Sequence, residues 1–380
     1  MWLVKEMTGS ATAMASVFIA NTIPRIIFSL LGGVSVDRYD RKVILVLSDS
    51  LRAVGVLALV LLAATKQLQV WHVAAFAAFN GALASFFVPA VSATVPNIVE
   101  QSELQKANAL SGMSARIAGI FGGALGGLIL GWAGLYGGYL LDTISYAVSA
   151  LLIFSMAIPK LSQIRAQPIL GGFSGVWHDF REGWAYIFAQ RWLLAVVALS
   201  VVTVFVTLPA AQLIPALADE LRLSDPRQVG FIWSGMTLGL FLGAFFLNAI
   251  REIPNKTLGV LVSACLCGGS SIIIGRASNY VAVLSGFVLM GFSLSVSMLL
   301  TTTLFQTLVP KEMQGRFFAN VGLLTLGIQP LIMWLAGLGA DWSSAATTFT
   351  MLGSISLIFA FLWTIQYREY LKYGRVSTNL

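Results

Sequence analysis

Apolar runs of about twenty residues, each closed by a short polar break, recur along this 380-residue chain. A bilayer core takes about 20 helical residues to cross. On that rule the pattern predicts eleven spanning helices, at 12–36, 43–64, 70–95, 105–133, 135–158, 192–217, 227–250, 257–276, 279–306, 315–338 and 344–366. The thickest polar interval, Pro159–Arg191, separates the first five from the last six. The expected organisation is an N-terminal bundle over 1–158, a cytoplasmic linker over 159–191, a C-terminal bundle over 192–367 and a cytoplasmic tail over 368–380. Within the linker, Val176, Phe180, Trp184 and Phe188 recur every four residues, with His178, Asp179, Arg181 and Glu182 elsewhere on the turn. That spacing predicts an amphipathic helix lying in the membrane interface.

Composition agrees with the pattern. The chain is 57% hydrophobic and 10% charged, against about 25% charged in a soluble domain, so the fold class expected is an all-α membrane protein in a lipid bilayer. The net charge of +7 is a topology signal and not a nucleic-acid footprint. Fifteen Lys and Arg fall in the breaks on one side of the predicted spans and four on the other, which places the richer side, with the C-terminal tail, in the cytoplasm. Cys265 and Cys267 are two apart in one apolar run and point to different sides of a helix, so no disulfide is expected between them. Two histidines far apart offer no metal spacing. No nucleophile-elbow, zinc-protease or phosphate-loop motif is present. The sequence therefore predicts neither an enzyme nor a cofactor, and any pumping would draw on an ion gradient.

The two halves carry the marks of a repeat. Val95-Pro96 and Val309-Pro310 each end a span and open a polar break, 309 − 95 = 214 residues apart. On that offset Arg251 corresponds to Asp37 and Ser224 to Ser10, and the span beginning near Trp192 corresponds to a position before Met1. The expectation is a twelve-span plan from which most of a first helix is missing here, through a misassigned start or a shortened chain. A genuine eleven-span protein is the alternative.

The break after the first run reads "GGVSVDRYDRK". With its Gly33, Asp37, Arg38, Arg41 and Lys42 it resembles the loop signature Gly-x-x-x-Asp-Arg-x-Gly-Arg-Lys/Arg of the major facilitator superfamily, with Asp40 where that family often has Gly. The stretches "VPAVSATVPNIVEQSELQKANAL", "HDFREGWAYIFAQRW" and "VPKEMQGRFFAN" are similar to its macrolide-efflux and enterobactin-exporter branch. The resemblance implies two six-helix bundles related by a pseudo-twofold axis, about eleven complete helices being present here. It further implies a drug:proton antiporter working by rocking of the halves in the cell (inner) membrane as a multi-pass monomer, with a small molecule and protons as partners. By the same resemblance Asp37 is a cytoplasmic gate, its carboxylate accepting from the N-terminus of a helix in the other half. The bland reading is a basic turn that fixes topology, a job Arg41 and Lys42 do regardless.

Five charges fall inside apolar runs: Arg25, Asp49, Arg52, Arg116 and Asp142. Each costs about 2.5–3.5 kcal/mol at mid-membrane on insertion scales, so each should have a partner or line water. Asp49 and Arg52 are three apart and can pair on one helix face. Asp142 has no basic neighbour in its own span and is the leading candidate for loading and releasing a proton. Its bland alternative is a carboxylate held by hydrogen bonds or an Arg of another span. Arg25 follows Pro24 and can meet Asp142 or an anionic cargo across a cavity, or simply pair or snorkel. Ala115, Gly119, Gly123, Gly127 and Gly131 lie at four-residue spacing and make one smooth face for packing. Gly122, Gly123, Gly126 and Gly127 resemble the antiporter signature Gly-Pro-x-x-Gly-Gly, with Gly123 in place of Pro. Arg116 sits one turn before this ladder. His72 reads as an interfacial residue and Asn80 as a candidate interhelical hydrogen bond. Gln212 and Thr207 are candidate polar groups in an otherwise apolar cargo cavity.

The function expected is export of a small amphipathic molecule, macrolide-like or siderophore-like, by proton-coupled alternating access. A truncated, non-transporting protein is one competing expectation. A transporter of lipid-like or other metabolites with a different coupling ion is another.

Overall fold

The computed structural model describes residues 2–100, 102–158, 172–223, 225–250 and 253–372. Within these, the side chains of 30–34, 37, 38, 105, 109, 116, 172–179, 226, 312, 370 and 372 are not described. Every regular element among the described residues is a helix: α1 (Trp2–Thr8), α2 (Ala11–Arg38), α3 (Arg41–Ala64), α4 (Val70–Ile98), α5 (Leu104–Ser155), α6 (Gly172–Ala189), α7 (Arg191–Glu220), α8 (Pro226–Ala249), α9 (Lys256–Arg276), α10 (Tyr280–Leu308), α11 (Lys311–Trp342), α12 (Ala345–Gln366) and a short 3₁₀ turn, Arg368–Lys372. The chain divides into two compact units, 1–167 and 168–380.

Ten of the helices are long and apolar enough to cross a bilayer, and one of them is two spans in one. The 52 residues of α5 would reach about 78 Å at 1.5 Å per residue, more than twice a hydrocarbon core. The rod breaks at Gly134, with φ 65° and ψ −173°, a conformation open to glycine and closed to residues with a Cβ. The two arms, up to 133 and from 135, reproduce the predicted separation, and the described residues hold eleven candidate crossings.

Polar side chains mark where the runs begin. Ser10 accepts from Ala13 N at 3.1 Å, Asp40 from Lys42 N at 2.9 Å, Asp225 from Arg227 N at 2.8 Å, Asn255 from Leu258 N at 3.0 Å, Asn279 from Ala282 N at 2.9 Å and Ser344 from Thr347 N at 2.9 Å. Each cap satisfies an N–H that the helix leaves without an internal partner.

The same pairing of helices recurs inside each unit. In the first, α2 packs along α4, and α3 packs against α5. In the second, α8 packs along α10 and α9 against α12. The close crossings run through glycine. A Cβ on Gly81 of α4 would collide with the Asn21 carbonyl of α2, and a Cβ on Gly291 of α10 with the Met236 carbonyl of α8. Gly268 of α9 and Gly353 of α12 face each other's carbonyls in the same manner. Apolar side chains gain nothing by leaving lipid for one another, so such helices hold together by close packing and by hydrogen bonds. The bonds are present. Asn21 Nδ2 donates to Ala77 O at 2.8 Å, Ser271 Oγ to Phe349 O at 2.7 Å, and the buried Trp363 Nε1 to Ala195 O at 2.9 Å. Among the described residues of the first unit the amide that bonds between helices is thus Asn21, and Asn80 makes no such bond. The core of the second unit is centred on α7, where Leu193, Val196 and Leu199 meet Val260, Leu304, Phe305, Phe317 and Trp363.

Helix α6 covers the linker stretch with the four-residue aromatic spacing, and the residues it buries against the bundle lie beside that stripe. Gly183 and Ile187 are buried, whereas Phe188 is 64% exposed. The reason is local. Asn320 of α11 donates from Nδ2 to Phe180 O at 3.0 Å and lies where a Cβ on residue 183 would be, and Arg316 pairs with Glu182 at 2.9 Å. Glycine sets which face docks. Trp184 is half-buried against the core of the second unit, and the exposed Phe188 stacks on it with centroids 5.5 Å apart. Val176, His178 and Asp179 lie outside the described side chains.

Two substitutions test this packing in detergent. Gly291→Leu should force α8 from α10 and lower the thermal midpoint, at a cost of about 1–3 kcal/mol or more; an unchanged midpoint would show that the crossing is not tight. Trp363→Phe keeps the ring and removes one buried N–H donor. It should cost about 0.6–1.5 kcal/mol, read as a smaller drop in the same measurement.

Candidate transport site

The loop that carries the charged signature is Tyr39 and Asp40, and its basic residues are built into helix ends. Asp40 caps α3. Arg41 Nη1 donates to Ala93 O at 2.6 Å, a carbonyl in the last turns of α4 that also accepts from Asn97 Nδ2 at 2.7 Å. Lys42 Nζ donates to Met156 O at 2.9 Å, at the C-cap of α5, and lies 5.3 Å from the centre of the Phe154 ring. Helix C-termini present unpaired carbonyls and a partial negative charge, which cations satisfy. Arg41 and Lys42 therefore tie the ends of α4 and α5 to the start of α3, over a small apolar cluster of Val36, Leu45 and Ala90. Gly33, Asp37 and Arg38 fall within α2, but their side chains lie outside the described residues, so the gate contact expected of Asp37 is among the proposals below.

Eight residues into α3 stands the one buried ion pair of the first unit among the described residues. Asp49 is 2% exposed and Arg52 7%. Arg52 Nη1 meets Asp49 Oδ1 at 3.3 Å, the pairing their spacing predicts. The other carboxylate oxygen, Oδ2, accepts from Ser149 Oγ at 2.6 Å, across on the second arm of α5. The guanidinium carbon lies 4.8 Å from the centre of the Phe87 ring of α4 and 5.8 Å from that of Tyr146 of α5. A desolvated cation over such faces gains about 2 kcal/mol. Arg52 Nε is buried and makes no hydrogen bond among the described residues. Ser149, Tyr146 and Phe87 are not legible as partners in the sequence. The available signal is that Ser149 lies seven residues after Asp142, on the same helix face.

The other candidates are dispersed. Asp142 and Arg25 are both exposed, and among the described residues no ion pair joins them. The side chain of Arg116 lies outside the described residues. The glycine ladder falls on the first arm of α5. Gly127 is buried and Gly119 and Gly123 are half-buried, but a Cβ on Gly122 or Gly126 would enter open space. His72 accepts from Gln69 N at 3.0 Å and closes the start of α4, a structural role. In the second unit Thr207 is buried and donates to Thr203 O at 2.9 Å. Gln212 Oε1 is buried with no hydrogen bond among the described residues. Glu220, unremarked in the sequence, holds the start of α12. Its carboxylate accepts from Ala345 N and, at 3.0 Å, from Ala346 N.

Comparison with known proteins places this arrangement. The chain is 24% identical to "Macrolide efflux protein A" of Streptococcus pyogenes over 357 residues, covering 93% of this chain and 87% of that protein. It is 28% identical to "Enterobactin exporter EntS" of Escherichia coli over 291 residues, covering 76% of this chain and 67% of that one. Among solved structures, a bacterial homologue of the human lysosomal transporter Spinster, inward-facing and occupied, superposes with a TM-score of 0.71 at 11% identity over 99% of this chain and 93% of its own. The xylose transporter XylE of E. coli, inward open, gives 0.66 at 12% identity over 95% and 88%. The Major Facilitator Superfamily profile matches residues 1–328. With eleven candidate crossings among the described residues, the helix pairing repeated in each unit and that match, the chain belongs to the major facilitator superfamily of membrane transporters.

Proposed function

We propose that this transporter exports a small amphipathic molecule, macrolide-like or siderophore-like, in exchange for protons, from the cell membrane and as a monomer with its C-terminus in the cytoplasm. The observation that carries the reading is the pair of exporters to which most of the chain is similar. The absence of an ATP-binding motif supports a gradient as the energy source, and the charge distribution of the loops supports the orientation.

In this reading the two halves alternate access to a cavity. Asp37 latches the cytoplasmic side by accepting hydrogen bonds at a helix N-terminus, with Gly33 allowing close approach. Arg38, Arg41 and Lys42 complete the loop. Asp142 loads a proton, since it is an exposed carboxylate on an apolar span without a salt bridge among the described residues. Arg25 and Arg116 are cationic groups on the pathway. The Gly119–Gly127 ladder gives the first arm of α5 a face thin enough for a neighbour to slide on. The buried Asp49–Arg52 pair keeps α3 registered against α4 and α5.

Inside-out vesicles loaded with a pH dye test the exchange, with erythromycin and enterobactin as probes. Wild-type protein should release protons from the vesicle lumen on addition of an accepted probe. Asp142→Asn should lose about 10-fold or more of that flux, in line with removal of a positioned proton carrier. Asp37→Asn should slow both probe and proton movement together. Probe uptake that is identical in both variants, or that persists after the proton gradient is collapsed and follows sodium instead, overturns the proton exchange.

A further inference from the structure

The second arm of α5 carries Asp142, Tyr146 and Ser149 at positions i, i+4 and i+7, one face of a helix. Seven residues cover about 10 Å along the axis. Exposure falls in order along that face. Asp142 is exposed, Tyr146 and Ser149 are half-buried, and Asp49, which Ser149 reaches at 2.6 Å, is 2% exposed. Tyr146 lies within electrostatic reach of Asp142 at one end and of Asp49 and Arg52 at the other. These groups lie in the seam where α3 packs against α5. On its neighbouring face the seam is lined by Val46, Ser50, Ala53, Ala147, Ala150 and Leu151. The two carboxylates, which look unrelated in the sequence, are thus the ends of one file of hydroxyl groups.

We propose that Asp142, Tyr146, Ser149 and Asp49 form a single proton relay, with Asp49 as the buried carboxylate that is loaded and Arg52 as the counter-cation whose release reports the loading. The proposal rests on the proton-coupled reading above and names the route within it. The proton on Asp142 passes to Tyr146 Oη through one bridging water. Tyr146 gives up its own hydroxyl proton towards Ser149, again through a water, and Ser149 passes its proton to Asp49 Oδ2 across the existing hydrogen bond. The hydroxyls then turn back. One proton has moved, each oxygen between the ends has taken one and given one, and no bond between heavy atoms has changed. With Asp49 neutral, the attraction of Arg52 Nη1 for Oδ1 is lost. The guanidinium, whose Nε has no hydrogen bond among the described residues, is then held by the Phe87 and Tyr146 rings.

The groups facing Asp49 limit what else can titrate there. From α3 itself the facing charge is Arg52. From α4 it is the apolar Phe87, the titratable residue of that helix being His72 at its far end. From α5 they are Tyr146, Ser149 and, further along, Asp142. Tyr136 of α5 donates to Ala63 O at 3.1 Å near the other end of α3 and is out of the file.

The test needs no cargo. Protein reconstituted in phosphatidylethanolamine–phosphatidylglycerol vesicles is given a pH jump, and the carbonyl stretch of the protonated acid is followed by time-resolved infrared spectroscopy. The Asp49 band is identified by its loss in Asp49→Asn. Tyr146→Phe keeps the ring against Arg52 and removes the hydroxyl. It should slow the appearance of that band roughly a hundredfold and leave its final size unchanged, and Asp142→Asn should do the same. Tyr146→His restores a proton-carrying group and should recover the rate, with a pH dependence shifted to that of an imidazole; this variant serves if the Phe form does not fold. An Asp49 band that rises at the wild-type rate without the Tyr146 hydroxyl overturns the relay. So does the absence of any band lost in Asp49→Asn, which would make Asp49 a fixed counter-ion. If erythromycin and enterobactin move no protons but the relay behaves as described, the cargo reading fails and the route stands.

Discussion

Within a bilayer no water completes an unpaired N–H, carbonyl or charge, and each such group left open costs several kcal/mol. The interior of this transporter answers to that constraint. Six helices begin on a Ser, Asp or Asn side chain that takes up a free N–H, and Glu220 does the same for α12 from another helix. At the opposite polarity Arg41 and Lys42 take up carbonyls at the ends of α4 and α5. The charged loop after α2 therefore does more than stop two helices from sinking into lipid. It fastens the ends of three others together.

The same constraint shapes the contacts between helices. Lipid is as apolar as leucine, so a helix gains little by exchanging one for the other, and the bundle relies on close approach. Glycine supplies it at Gly81, Gly291, Gly268 and Gly353. The α2–α4 crossing of the first unit and the corresponding α8–α10 crossing of the second both run through one. At Gly183 the same residue type serves docking, letting Asn320 reach the backbone of α6.

Against this background the Asp49–Arg52 pair stands out. A buried ion pair is costly to assemble and costly to break on one side, and here it is completed by a serine hydroxyl and two aromatic rings drawn from α4 and α5. Helix α3 is thus joined to its neighbours by charge as well as by packing. Removing the charge on Asp49 would loosen that joint, which is the mechanical consequence that the proposed relay would have inside one unit. Fold alone does not choose a cargo.

The sequence by itself determined the class, the eleven crossings and the break between the arms of α5, because hydrophobic run length is set by bilayer thickness and Gly134 sits where the run exceeds it. It also determined that Asp49 and Arg52 can pair, since a spacing of three is a local property of a helix. What it did not hold was any relation between helices. The aromatic spacing of α6 says nothing about which of its faces docks on the bundle, because periodicity is blind to the Asn320 side chain that needs Gly183. Asn80 was the amide singled out, yet Asn21 makes the bond, since that choice depends on which face of α2 meets α4. Asp142 and Asp49 lie on different helices 93 residues apart, and only the packing of α5 on α3 brings Ser149 to one and leaves Tyr146 between both. Local spacing is written in the chain; which faces meet is decided by packing distances of a few ångströms, and that information exists only in the folded bundle.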